Sequence, residues 1–405
     1  MDKDVIFIGG LWSKDIEHQI IERSKGVVQI AANNLQTALI EGFDSILDYP
    51  VTIISGLFIG AFPKRYRDLF IKERSFNHAT FENHKDYYVG FINLPVYKHI
   101  SKYIHSKKYI DKCCGSVDGT KYLVGYSMTQ SVVNELCYAK NKYPSIITCL
   151  VVPDLPEYMN FGPDRGAMFR FLKNRSTSNL YRKIKNIDSF VLLTDHMYNR
   201  LNVDKPYIVV EGVSNNISLY KNNYLDDGIK RIVYTGTLSK AYGICDLVDA
   251  FCEQDGDDLR LIICGSGDGQ NYVEEMAMVD KRIDYRGNVS SEEARSIQSS
   301  AYLLVNPRKP EGEYTKYSFP SKTIEYMSSG RPVLMYKLAG VPNEYDEYLY
   351  YINDNLSDSL KVILSFDSHD LNEKGKSARN FVFNNKSNEV QASKIMSMML
   401  NLNNV

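Results

Sequence analysis

Short continuous apolar runs alternate with helical patterns from one end of this chain to the other, and the alternation restarts once. That arrangement constrains the fold more than any other feature. In the first half, VIFIGG (5–10), VTIIS (51–55), SIITCLVV (145–152), SFVLLT (189–194) and YIVVEG (207–212) have the length and composition of strands buried on both faces of a parallel sheet. KGVVQIAANNLQTALIEG (25–42) spaces its apolar residues as a helix does and ends in glycine. Residues 213–230 are polar and turn-rich. The pattern then begins again with RIVYTGT (231–237), the helical YGICDLVDAFCEQ (242–254), LRLIICGSGDG (259–269), RIDYRGNV (282–289), the helical SEEARSIQSSA (291–301), YLLVNPR (302–308) and PVLMYK (332–337). Ser290 and Glu293 are spaced as a capping box for the second of those helices. SNEVQASKIMSMMLNL (387–402) is an amphipathic helix. The fold expected is α/β, with two Rossmann-like doubly wound domains at 1–212 and 231–385, a linker at 213–230 and a closing helix at 386–405. Ligands of such sheets bind at the carboxyl ends of the strands, so the expected site is a cleft between the domains.

Composition narrows the function by exclusion. Net charge is −1, so the chain is no polycation built for nucleic acid. Residues 1–212 carry 27 Lys and Arg against 22 Asp and Glu, while the remainder carries 21 against 27, so a basic half precedes an acidic one. The seven cysteines show no metal-ligand spacing, and Cys149 and Cys264 sit in apolar runs as small hydrophobes. An odd cysteine count, behind an N-terminus with acids where a signal peptide needs bases, points to a reducing cytoplasm. VTIISGLFIGAF (51–62) is too short to span a bilayer. The histidines form no metal pattern, and neither metal nor cofactor is expected.

The stretch YSFPSKTIEYMSSGRPVLMY (317–336) raises a sharper question. It places Lys322 and Glu325 on the first turn of a helix that opens with Pro320-Ser321. With Ser321 as cap, the free N–H groups of that turn and the helix dipole favour an anion, and Lys322 adds a full charge there. Glu325 repels phosphate, so its partner is a hydroxylated group beside the anion. A ribose next to a diphosphate meets that description. Ile324 and Met327 face the core in this reading, and Gly330 closes the helix. A capped helix with a surface salt bridge is the plain alternative.

NPR (306–308) followed by YSFPSKTIEYMSSGRPV resembles the donor-binding signature of glycosyltransferase family 4, in the branch that makes bacterial surface polysaccharides. IVYTGTLSKAYGICDLVDAF, LIICGSGDG and YRGNVSSEEARSIQSSAYLLVNP resemble the first, second and third β/α units of that family's C-terminal domain. VVPDLPEYM (151–159), LLTDHM (192–197) and IVVEGV (208–213) look like landmarks of its N-terminal domain. The resemblance implies a GT-B fold with the last helix crossing back to the first domain. It implies a retaining, metal-independent transfer from a nucleotide-diphosphate sugar, with uridine the default base. Glu325 would bind the ribose. Ser321 and Lys322 would bind the diphosphate, and Gly236 would let the backbone approach it. Gly265 and Gly267 would line the base pocket, while Gly9 and Gly10 would form the N-domain loop closing on the donor. Many members carry an Arg where this chain has Thr237, a Lys where it has Tyr242, and a sugar-contacting Glu where it has Tyr317. Lys240 is the nearby replacement cation, and Glu311 or Glu313 the replacement sugar contact.

On the acceptor side, Asp154 follows an apolar strand and precedes Leu155-Pro156, at a strand's carboxyl end. The resemblance puts a catalytic or positioning residue near it. A capping turn aspartate is the alternative, and His196 after the next strand is a weaker candidate. FGPDRGAMFRFLKNR (161–175), with Arg165, Phe169, Arg170 and Lys173, and PKRYRDLFIKER (63–74) interleave bases with apolar residues. That mixture suits an anionic membrane face or a lipid-linked acceptor, and equally a helix with a solvated basic side. A cytoplasmic enzyme touching the inner membrane face follows. Two rivals share the fold: a sugar-nucleotide 2-epimerase and a non-catalytic scaffold. A nicotinamide dehydrogenase is disfavoured because GSGDG is not a GxGxxG turn.

Overall fold

The computed structural model describes residues 4–26, 28–115, 121–158, 167–214 and 227–403, giving the backbone alone for 167–173. The chain forms two compact units, Met1–Val213 with Asn388–Val405, and Ser214–Ser387. Most of the polar stretch at 213–230 lies outside the described residues.

The first unit contains strands β1 (Asp4–Gly9), β2 (Thr52–Ser55), β3 (Phe70–Ile71), β4 (Arg74–Phe76), β5 (Asp86–Tyr88), β6 (Phe91–Ile92), β7 (Lys121–Tyr126), β8 (Ile147–Val152), β9 (Ser189–Leu192) and β10 (Tyr207–Val209). Its helices are α1 (Lys14–Arg23), α2 (Ile30–Ile46), α3 (Tyr97–Cys114), α4 (Gln130–Lys142), α5 (Ala167–Ile184) and α6 (His196–Leu201). The main sheet runs β10-β9-β8-β7-β1-β2-β5-β4, and β3 pairs with β6 apart from it. All its pairings are parallel except β4 with β5. β7 is buried along its whole length beside β1. The apolar-run pattern misses it, because KYLVGY opens on a lysine and carries two tyrosines. Lys121 is tolerated there because its Nζ donates to the Cys113 carbonyl at 2.6 Å and lies 3.8 Å from the Asp4 carboxylate, which offsets the cost of a buried cation.

The second unit contains β11 (Lys230–Thr235), β12 (Leu259–Cys264), β13 (Ile283–Tyr285), β14 (Leu303–Asn306), β15 (Val333–Met335) and β16 (Tyr350–Tyr351). Its helices are α7 (Ile244–Cys252), α8 (Gln270–Val279), α9 (Ser291–Ser299), α10 (Ser321–Ser328), α11 (Leu356–Leu364) and α12 (Ser368–Lys386). Its sheet is parallel throughout, in the order β13-β12-β11-β14-β15-β16. Strand order therefore reverses between β11 and β14. Crossovers leave in opposite directions there and open a crevice at the strands' carboxyl ends. Two apolar clusters cover the two faces, one around Ile232, Leu247, Phe251 and Leu261, the other around Val233, Ile324, Met327 and Val382. The Ser290 hydroxyl caps α9 by accepting from the Glu293 N–H at 3.2 Å.

The last helix, α13 (Asn388–Leu402), belongs to the first unit. Ala392, Ile395 and Met399 are fully buried in that unit's core. Gly42 on α2 permits the approach, since a Cβ there would stand 2.2 Å from the Asn388 carbonyl oxygen.

Candidate functional site

The reversal point of the second sheet gathers several chemically useful groups. β11 ends at Gly236 and β12 at Gly265, and these turns pack backbone on backbone. A Cβ on Gly265 would lie 1.8 Å from the Gly236 carbonyl oxygen, and Gly265 has φ +133°. A Cβ on Gly267 would lie 2.3 Å from the Leu238 carbonyl oxygen. These glycines are thus required by close approach and, at Gly265, by backbone conformation. Gly243, φ +80°, brings the β11–α7 turn against the Pro307 carbonyl beyond β14.

α10 starts over the same edge. Pro320 occupies the cap position, with no side-chain capping bond, and Ser321 is the first helical residue. The expectation that Ser321 caps this helix is therefore corrected: proline is at home where an N–H would go unpaired anyway. Among the described residues no side chain caps the N–H groups of the first turn, and Ser321 is exposed. Ile324 and Met327 are buried, as their spacing requires, and Gly330 ends the element at φ +77°. Tyr326 ties α10 to the sheet: its hydroxyl accepts from the Thr235 N–H at 2.9 Å and donates to the Thr235 carbonyl at 3.1 Å.

Lys322 and Glu325 face each other on that first turn, both about one-third exposed. Lys322 Nζ donates to both carboxylate oxygens at 2.8 Å. The Lys322 stem passes Gly236, its Cε 3.5 Å from where a Cβ would be. Gln298, on α9, is fully buried. Its amide nitrogen donates to Glu325 Oε1 at 2.6 Å and to Thr235 Oγ1 at 2.7 Å. Glu325 is thereby clamped from beneath. Three bonds occupy a carboxylate that can accept about four, leaving capacity on Oε2, and the ammonium keeps its third donor. No local pattern marks Gln298, which sits near the end of α9, 63 residues from Thr235.

The other expected donor residues surround this centre less tightly. Lys240 is exposed on the β11–α7 turn, where its N–H is held by Asp268 Oδ1 at 2.9 Å. Glu311 is exposed on the β14–α10 loop. The Tyr317 hydroxyl donates to Glu313 at 3.4 Å.

In the first unit, Gly9 and Gly10 end β1. A Cβ on Gly10 would fall 1.9 Å from the Phe58 ring, and the Gly10 N–H already donates to Gln36 Oε1 at 2.8 Å. Asp154 is exposed just past β8. Burial, then the Asp154 charge, push the Tyr126 hydroxyl's pKa upward. His196 opens α6 and is exposed. Arg165 lies outside the described residues, as do the side chains of Phe169, Arg170 and Lys173, whose backbone is in α5.

The absence of a histidine metal pattern is qualified by the fold, which brings ligand atoms of His78, His84 and Asp86 within 4.8 Å of one another. Hydrogen bonds already hold them. His78 bridges Asp86 at 2.7 Å and Asp44 at 3.0 Å, and His84 reaches Asp86 at 3.1 Å. Burial pulls the His78 imidazole down, but its two carboxylate partners more than offset this and raise it to about 9. Asp86 is held down to about 2, its hydrogen bonds outweighing burial. A protonated His78 with both nitrogens donating is a structural strut.

Residues 229–364 match the model of a family described as glycosyl transferases group 1. No curated protein matches the chain by sequence. Several solved structures are similar over nearly the whole chain. Sucrose-phosphate synthase from Thermosynechococcus elongatus has a TM-score of 0.64 at 15% identity, covering 98% of this chain and 99% of its own. The Anabaena protein HepE, solved in complex with UDP, has 0.60 at 14%, covering 97% and 99%. TarM has 0.61 at 12%, covering 98% of each. These likenesses establish the GT-B fold.

Proposed function

We propose that this chain, with its GT-B fold and its match to the glycosyl transferases group 1 model over 229–364, is a glycosyltransferase that moves a sugar from a nucleotide-diphosphate donor, uridine-linked by default, to a lipid-linked or oligosaccharide acceptor in surface polysaccharide synthesis. The observation that carries the donor half is the Lys322–Glu325–Gln298 constellation at the sheet's reversal point. Glu325 is oriented from below and retains an acceptor site for a ribose hydroxyl. Lys322 and the uncapped first turn of α10 offer donors to a diphosphate. HepE was solved with UDP, which supports uridine here.

In this reading the C1–phosphate oxygen bond breaks while charge develops on the diphosphate, and donors fixed beforehand stabilise that charge. The acceptor hydroxyl forms the new C1–O bond from the leaving-group face, its proton passing to a phosphate oxygen. Configuration is retained with no carboxylate nucleophile and no metal ion. Ser321 and Lys240 are further diphosphate contacts, with Gly236 giving backbone access. Gly265 and Gly267 border the base, and Glu311 and Tyr317 the sugar. Asp154 acts on the acceptor side.

A thermal-shift panel of UDP, ADP, GDP and their sugars tests this. A ligand at a hundredfold excess over its Kd stabilises the folded state by about 2.7 kcal/mol. Glu325→Ala is expected to erase the shift, and an undiminished shift in that variant overturns the ribose assignment. Donor turnover without acceptor into a new sugar nucleotide would instead indicate the 2-epimerase, and binding without turnover the scaffold.

Membrane contact has separate support in the first unit. The β3–β6 pair and the start of α3 expose Phe70, Val96, Tyr97, Ile100 and Ile104. Exposed Lys64, Arg65, Arg67 and Lys72 lie in the adjoining segment. No helix among the described residues is long and apolar enough to cross a membrane, so the contact proposed is peripheral. Sedimentation with vesicles containing phosphatidylglycerol should exceed that with phosphatidylcholine alone, and Ile100→Ser with Ile104→Ser should remove the excess. Equal sedimentation with both vesicle types rejects the idea.

A further inference from the structure

The residues that depart from the family pattern at this site have a structural counterpart in Arg308. Arg308 follows Pro307 at the end of β14, on the far side of the reversal point from Gly236. Its guanidinium carbon stands 5.1 Å from the Tyr242 ring centroid and 5.2 Å from that of Tyr314. Two glycines make this arrangement possible. Gly243, beside Tyr242, lets its turn approach the Pro307 carbonyl. Gly312, φ +87°, has no Cβ to strike the Tyr314 ring, which would be 2.7 Å away.

The hydrogen bonding of Arg308 is incomplete. Nη2 donates to Ser318 Oγ at 3.1 Å, and Nε is buried without a partner. Among the described residues no carboxylate pairs with it, whereas Lys309 has Asp246 and Lys322 has Glu325. A half-buried cation with five donors and one acceptor is expensive unless an anion completes it. Planar guanidinium also stacks on aromatic faces and presents its edge donors in a fork suited to phosphate.

We propose that Arg308, carried on the Tyr242 and Tyr314 rings, is the fixed cation that grips the donor diphosphate opposite Lys322. Tyr242, standing where many relatives of the resembled family have lysine, then supplies a platform in place of a charge. The inference rests on the donor-site reading above.

The test is calorimetric titration of UDP, ADP, GDP and uridine against wild type, Arg308→Ala, Arg308→Lys, Tyr242→Ala, Tyr242→Phe and Glu325→Ala, with melting temperatures measured alongside. Arg308→Ala should weaken the preferred nucleoside diphosphate at least tenfold and leave uridine unchanged. Arg308→Lys should restore part of the loss, since a point charge replaces the fork. Tyr242→Ala should copy the diphosphate-selective loss and Tyr242→Phe should not, because the ring face and not the hydroxyl carries the guanidinium. That pair reads the proposal even where Arg308→Ala fails to fold. Unchanged diphosphate binding in Arg308→Ala or Tyr242→Ala, while Glu325→Ala loses it, overturns Arg308 and leaves the donor site standing. Wild type that binds no nucleoside diphosphate removes both.

Discussion

In the first unit β1 runs into Gly9-Gly10 between β2 and β7; in the second, β11 runs into Gly236 between β12 and β14. Both turns sit where strand order reverses. Around Gly10 the protein supplies its own filling: Gln36 accepts the Gly10 N–H, the Phe58 ring covers the Cα, and Asn33 accepts the Trp12 N–H at 2.8 Å. A completely buried Lys102 donates to the Gly56 and Leu57 carbonyls at 2.7 and 2.8 Å. Around Gly236 the nearest side-chain atoms stay 3.3 and 3.5 Å from the position of a Cβ, and the groups beyond are charged and part-exposed. The same β-turn-α plan can therefore end as packed core or as a receptive edge. The difference lies in which side chains the neighbouring helices aim at the turn. The second edge is the one on which the proposed donor site is built.

Placing alanine at Gly265 should break this contrast most severely. The new Cβ meets a backbone oxygen that cannot rotate away, in a conformation unfavourable to any side chain. A loss of about 4 kcal/mol of second-unit stability is expected from combined overpacking and strain, together with loss of the nucleotide-induced melting shift. Urea unfolding followed by fluorescence checks it, and wild-type stability would show that the two turns separate easily.

The first unit should be distinguished next by pH. His78 titrates near 9 folded against 6.5 ordinarily. Its contribution is complete below pH 6.5 and disappears as pH rises through 9, a loss of about 3 kcal/mol. Asp86 works oppositely: its contribution is present above 3.8 and disappears as pH falls through about 2. Melting temperatures from pH 6 to 10 should fall in wild type and flatten in His78→Asn. Parallel curves would mean that the His78 strut adds nothing. The second unit has no such buried histidine among its described residues. Its only histidine, His369, is exposed.

The smallest expected effect is local. Ser290→Ala removes the α9 cap and should cost about 1 kcal/mol. Because α9 carries Gln298, nucleotide affinity should fall slightly as well. Unchanged affinity with reduced stability would separate the cap from the Glu325 clamp.

Local pattern made much of this molecule legible. Continuous apolar runs marked β1, β2, β8 to β12, β14 and β15, because a strand covered on both faces must be apolar at every position. The Ser290–Glu293 spacing gave the α9 cap, and Ile324 with Met327 gave the buried face of α10. Where side chains compensate one another across the fold, pattern failed. β7 hid behind Lys121, whose ammonium bonds a carbonyl eight residues earlier and lies 3.8 Å from the Asp4 carboxylate. Ser321 reads as the cap of α10 because serine is a common cap residue, yet it is the first helical residue and Pro320 holds the cap position.

What the amino-acid order determined alone was two parallel α/β sheets, their glycine turns and a helix start bearing Lys322 and Glu325. Periodicity reports burial over a few residues, and those features need no more than that. Only the tertiary structure decided that Gln298 meets both Thr235 and Glu325, that Arg308 lies on Tyr242 and Tyr314, and that His78 joins Asp44 to Asp86. Sheet order and helix packing bring such groups together across tens of residues. Whether a polar side chain finds a partner, or is left waiting for a ligand, is set by that packing.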